Sequence, residues 1–129
     1  MIWMWVAAGA ALGGVMRYAA NLGAGRMGLT AFPWATLFVN VLGSAVIGFF
    51  ATVTGDQGRV VARPELRMFV MTGICGGFTT FSSFSLETLR LIEDREYLLA
   101  ALNAGGSLAL CMVAVFAGAM AGAVLNNQK

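Results

Sequence analysis

The chain has 129 residues, 59% of them hydrophobic and 11% charged, with a mean hydropathy of +0.80. A water-soluble domain of this length would carry roughly 25% charged residues, so this is the sequence of an all-α integral membrane protein. A net charge of +2 without a basic cluster excludes nucleic acid as a partner, and two isolated cysteines with no histidine argue against a transition-metal site.

The first apolar run covers residues 2–20. Its start, MIWMWVAAGA, lacks the basic segment of a cleaved signal peptide and reads as the beginning of a helix. Gly9 and Gly13 are spaced for close helix–helix approach. Arg17 falls near the end of the run, where it either snorkels to the headgroups or faces the bundle as part of an anion vestibule or ion pair. Residues 21–30, with three glycines, read as a connection.

Pro33 suits the first turn of the next helix, and the second span covers residues 33–53. Thr36, Asn40 and Ser44 recur every four residues and share one helix face. An intramembrane asparagine there is either interhelical glue or part of a polar pathway. Residues 54–67 are polar, and Pro64 discourages a helix through them.

The third span, residues 68–92, contains the stretch GICGGFTTFSSFSLE at 73–87, with three glycines, five hydroxyl residues and a phenylalanine at every third position from 78 to 84. Glycine weakens a helix interior by about 1 kcal/mol relative to alanine, and neighbouring threonines can serve freed carbonyls. We therefore expect a break near residues 76–80. Broken helices of this kind build ion sites from exposed carbonyls and helix ends. After the charged residues 93–96 comes the fourth span, 97–125, in which Asn103, Ser107 and Cys111 share a face. Cys75 and Cys111 read as small packing hydrophobes. The four spans leave no room for a second domain.

Basic residues set orientation, with the excess normally cytoplasmic. Arg59, Arg63, Arg67 and Lys129 belong to one side, and Arg17, Arg26, Arg90 and Arg95 to the other, so the bias is zero. Such a chain can insert both ways and pair as an antiparallel, dual-topology homodimer.

Three segments, GGVMRY at 13–18, ATLFVNVLGS at 35–44 and the 73–87 stretch, resemble the Fluc (CrcB-type) fluoride channels. The resemblance implies an antiparallel homodimer in the bacterial inner membrane, lipid-embedded, with two fluoride pathways that passively export cytoplasmic fluoride. It implies a structural Na⁺ at the dimer interface, held by the backbone carbonyls of Gly76 and Thr79. It assigns the anion pathway to Asn40, Phe81 and Phe84, with Thr80 and Ser83 as further donors and Asn103 and Ser107 as the fourth-helix polar track. Cys111 departs from the hydroxyl residue common in that track, and a thiol is a weak donor. Arg17 and Glu87 are expected in structural or vestibule roles. A small dual-topology multidrug exporter would need an embedded carboxylate, and the sequence offers acids only from Asp56 onward, mostly near span ends. A non-transporting assembly subunit would explain the glycines but not the Gly-Thr-Phe-Ser break. An enzyme would need a general base that the chain does not offer.

Overall fold

The computed structural model describes residues 1–128; Lys129, counted in the charge balance above, lies outside them. Four long helices follow one another: α1 (Ile2–Arg26), α2 (Trp34–Val53), α3 (Pro64–Glu93) and α4 (Tyr97–Asn127). Among the described residues there is no strand. Helices α2, α3 and α4 are each long and apolar enough to cross a membrane, and most of their large apolar side chains point outward, including Leu108, Val113, Phe116 and Met120 of α4. In water such a surface would not persist on a monomer. The protein is an all-α membrane protein.

The helix boundaries reflect local chemistry. Pro33 stands immediately before α2, and Pro64 opens α3 from its first turn, where its missing N–H is harmless. The proline expected to keep a helix out of residues 54–67 therefore starts one. Helix α1 does not stop near residue 20; it continues to Arg26 and ends where Gly28 adopts a φ of +71°, a conformation glycine enters without penalty. Arg17 is thus well inside α1 rather than at its end. Two wide π-helical stretches, Met68–Cys75 in α3 and Leu102–Gly106 in α4, interrupt the regular pitch.

The core consists of two parallel helix pairs. In the first, Gly9 and Gly13 of α1 lie against the backbone of Phe69, Gly73, Ile74 and Phe78, and Gly77 lies against Ala10. In the second, Gly48 of α2 meets the Val115 carbonyl, Gly118 of α4 meets the Ala45 carbonyl, and Gly122 meets Phe49 and Thr52. Small residues let these backbones touch, which is how helices associate where lipid removes the hydrophobic drive between them. At one end the Arg59 N–H donates to Asn126 Oδ1 at 2.9 Å, and Asn126 Nδ2 donates to the Thr52 carbonyl at 3.1 Å. Asn126 thereby ties the α2–α3 connection to the ends of α2 and α4.

A β-carbon at Gly118 would collide with backbone, whereas one at Gly23 meets open space. Gly118→Ala should cost about 1–3 kcal/mol in detergent unfolding, as overpacking does, while Gly23→Ala should be neutral or stabilising. Equal behaviour of the two variants would contradict the α2–α4 packing.

Candidate ion pathway at the helix break

Helix α3 breaks at two threonines. The last regular turn is Gly76–Phe78; Thr79 (ψ 159°) and Thr80 (φ −155°, ψ 118°) are extended, and the second half resumes at Phe81. The glycines weaken the turn, but the break falls on the β-branched residues, which fit an extended backbone well. Thr80 N-caps the second half, its hydroxyl accepting from the Ser83 N–H at 3.1 Å.

A break at membrane depth frees backbone groups that cost several kcal/mol each if left unpaired. Several of these groups find partners outside the helix ladder. The Thr79 N–H and hydroxyl both donate to the Cys75 carbonyl, at 2.9 and 2.8 Å. The Thr80 N–H donates to Asn40 Oδ1 at 2.7 Å, and Asn40 Nδ2 donates to the Thr80 carbonyl at 3.0 Å. Arg17 reaches across from α1 and donates to the Thr79 carbonyl at 3.2 Å. The polar face of α2 therefore reads antiparallel onto α3: Asn40 grips Thr80, and one turn earlier the buried Thr36 donates to Glu87 Oε1 at 2.7 Å. Glu87 Oε2 is buried without a partner.

Beside the break lies a cavity of about 340 Å³ bounded by α2, α3 and α4, with Asn40, Ser44, Thr80, Phe81, Phe84 and Ser107 on its wall. The Phe81 and Phe84 ring centroids are 5.3 Å apart at 45°, and Phe81 is 79% exposed. An aromatic edge is electropositive, as is the N-terminal end of the helix that begins at Phe81, so an anion here meets favourable charge without a full ion pair. The hydroxyls on the wall already use their protons: Ser44 on the Asn40 carbonyl at 2.7 Å, and Ser107 on Asn103 Oδ1 at 3.3 Å. The longer bond is the weaker one to exchange. Asn40 Nδ2 keeps a second N–H beyond the one given to Thr80.

The structure brings Asn40, Thr80, Phe81, Phe84 and Ser107 together at this cavity, along with Gly76 and Thr79. Ser83 and Asn103 do not line it. Ser83 instead accepts from the Thr80 hydroxyl at 3.1 Å, and Asn103 is 0% exposed. Arg17 and Glu87 do not meet each other; each serves a different partner. The Arg17 contact with the break and the Thr36–Glu87 pair were not legible from composition, although Thr36 lies on the same polar stripe as Asn40. A second, larger cleft of about 600 Å³ opens between the connections at 27–33 and 94–96, with Glu87, Arg90, Asp94 and Glu96 on its wall.

Residues 4–119 match the family model described as CrcB-like protein, Camphor Resistance (CrcB). The chain is 53% identical over 122 residues to the fluoride-specific ion channel FluC of Paramagnetospirillum magneticum, covering 95% of each chain. It is 52% identical over 129 residues to the protein of the same name from Opitutus terrae, covering 99% of this chain and 97% of the relative. A third FluC, from Rhodospirillum rubrum, is 50% identical over 129 residues, at 99% and 98% coverage. A cavity at a broken helix, clamped by Asn40 and edged by two phenylalanines, thus occurs in a chain that belongs to the CrcB family.

Proposed function

We propose that this chain forms a passive, fluoride-selective channel that lowers intracellular fluoride. The observation that carries the reading is the cavity at the α3 break, with Asn40 and the Phe81–Phe84 pair on its wall, in a chain about half identical over nearly its whole length to proteins named fluoride-specific ion channels. Fluoride is the base of a weak acid: neutral HF crosses membranes, dissociates inside and leaves the anion trapped. A channel suffices for export, since gradient and membrane potential both favour exit. Selectivity requires donors and ring edges to replace hydration in a space too narrow for larger halides. The spare Asn40 N–H and the Phe edges supply these without a formal cation, so the ion can enter and also leave. Ser107 and Thr80 contribute hydroxyls at the wall, while Ser83, which accepts from the Thr80 hydroxyl, and Asn103 contribute by what they hold. An ion channel of this kind is not an enzyme. One Glu87 oxygen accepts from Thr36 while the other has no partner, and the relatives reported above are named fluoride-specific ion channels, not exporters of drugs.

In this reading α1 is the fourth span, and two subunits pair antiparallel in the bacterial inner membrane with a Na⁺ between them. With Arg17 inside α1, the basic residues near the span ends divide four (Arg59, Arg63, Arg67, Lys129) against three (Arg26, Arg90, Arg95), a small bias that supports dual topology. Gly76 and Thr79 fit a hard monovalent cation as oxygen donors. The N–H that would normally bond the Gly76 carbonyl, that of Thr80, is turned to Asn40, and the Thr79 carbonyl, with two lone pairs, gives one to Arg17. When bound, the ion would supply fixed positive charge that offsets the cost of bringing anions into a low dielectric.

Liposomes containing only this protein should release fluoride and retain chloride. Phe81→Ile should reduce that efflux at least about tenfold, a loss of roughly 1.4 kcal/mol, without altering the size-exclusion profile. Fluoride retention by the folded wild type would end the channel reading. Reporters fused to the C-terminus should label both sides of the membrane; labelling of one side alone would sink dual topology and leave the channel reading standing.

A further inference from the structure

Asn103 has no exposed surface, yet it is a polar side chain in an apolar helix. Its environment accounts for it. Ser107 Oγ donates to Asn103 Oδ1 at 3.3 Å, Asn103 Nδ2 donates to Thr88 Oγ1 at 2.9 Å, and the Thr88 hydroxyl donates its proton to the Phe84 carbonyl at 2.8 Å. The donors all run one way, from α4 into the second half of α3. In such a chain each bond polarises the next. Both ends of the chain are on the cavity wall, at Ser107 and Phe84, while Asn103 and Thr88 in the middle are not.

A threonine that bonds the carbonyl four residues back is common in helices and by itself carries no function. What sets Thr88 apart is that its hydroxyl is also the acceptor for a fully buried amide on another helix. The wide π-helical stretch Leu102–Gly106 contains Asn103, and π-bulges occur frequently at functional sites. The second half of α3 is short, running only from Phe81 to Glu93, and begins at a break. It needs an external reference to fix its rotation, and thus the direction of the Phe84 ring. Asn40 holds its first residue's neighbour, Thr80; the bond from Asn103 to Thr88 holds it two turns further on.

We infer that Thr88 and Asn103 are positioning residues for the anion path: they set the Phe84 ring through the backbone of the second half-helix and do not touch the ion. This rests on the channel reading for its consequence in flux, but not for its consequence in geometry. A hydrophobic replacement at either position removes the one bond by which α4 fixes the rotation, leaving only the ties from α2 at Thr80 and Glu87. Thr88→Val leaves the Asn103 amide without its acceptor, and Asn103→Leu removes both ends of the amide at similar volume. Thr88→Ser keeps the hydroxyl and should keep the function.

The test uses the full chain carrying 4-fluorophenylalanine at position 84 or, separately, at 81. The ¹⁹F resonance at 84 should shift or broaden in Thr88→Val and in Asn103→Leu, stay in place in Thr88→Ser, and the label at 81 should move less. In liposomes without the label, Thr88→Val should lower fluoride efflux about tenfold, the scale of losing one buried hydrogen bond, and Thr88→Ser should restore it to within about twofold. The double variant Thr88→Val with Asn103→Leu should be no worse than the poorer single variant, because both break one link. An unmoved resonance at 84, or efflux losses that multiply in the double variant, would overturn the inference. If no variant and no wild type conducts fluoride, the channel reading fails, while the ¹⁹F arm still decides the geometric claim.

Discussion

The paired hydrogen bonds between the Asn40 amide and the Thr80 backbone are the interaction on which the rest of the structure depends. A primary amide has a donor and an acceptor at the spacing of a peptide group, so it can take the place of the neighbour that an interrupted helix has lost. Asn40 satisfies the N–H and the carbonyl of the same residue, at 2.7 and 3.0 Å. Without it, a break in an apolar bundle would expose two unpaired backbone groups, each costing several kcal/mol. With it, the helix can stop and restart, which turns one continuous helix into two ends and opens space between them.

The two glycine-lined pairs make that clamp geometrically possible. Helix α1 packs backbone to backbone on the first half of α3, and α2 does the same with α4. The first half of α3 thus belongs to α1, while its second half is reached by α2 through Asn40 and Thr36 and by α4 through Asn103. Side chains rather than close backbone packing position the second half. Hydrogen bonds are directional and exchangeable, and this is a sensible way to hold a segment that must face a cavity. The first half is fixed by steric fit, the second by polar contacts, and the cavity lies where the two regimes meet.

Much of this was legible in the sequence. Glycine and threonine at membrane depth point to a break, and the i, i+4 spacing of Thr36, Asn40 and Ser44 puts them on one face, as observed. The spacing could not reveal how the face is used: Thr36 goes to a carboxylate, Asn40 to backbone, and Ser44 back onto its own helix. Nor could Arg17 be assigned, because its role follows from α1 continuing past residue 20 and running parallel to the first half of α3. Asn103 and Ser107 share a face in the sequence and are bonded in the structure, yet only Ser107 reaches the cavity. Asn103 lies within the π-helical stretch Leu102–Gly106, whose pitch no simple periodicity encodes. Resemblance named the residues around the cavity; only coordinates separate those on its wall from those that hold the wall in place.

For an anion path, a clamp that consumes most donors has a consequence. The wall offers few free N–H or O–H groups, so an ion must be held by ring edges and by protons borrowed from weak bonds, which suits conduction better than tight binding. The direct measurement of the clamp is amide hydrogen exchange at Thr80 in wild type and in Asn40→Leu. The account predicts a Thr80 amide protected to the level of the surrounding helix in the wild type and exchanging far faster in the variant, with protection of the α1 contact at Gly73 unchanged. Equal protection of Thr80 in both proteins would contradict it, because the break would then be held by something other than Asn40.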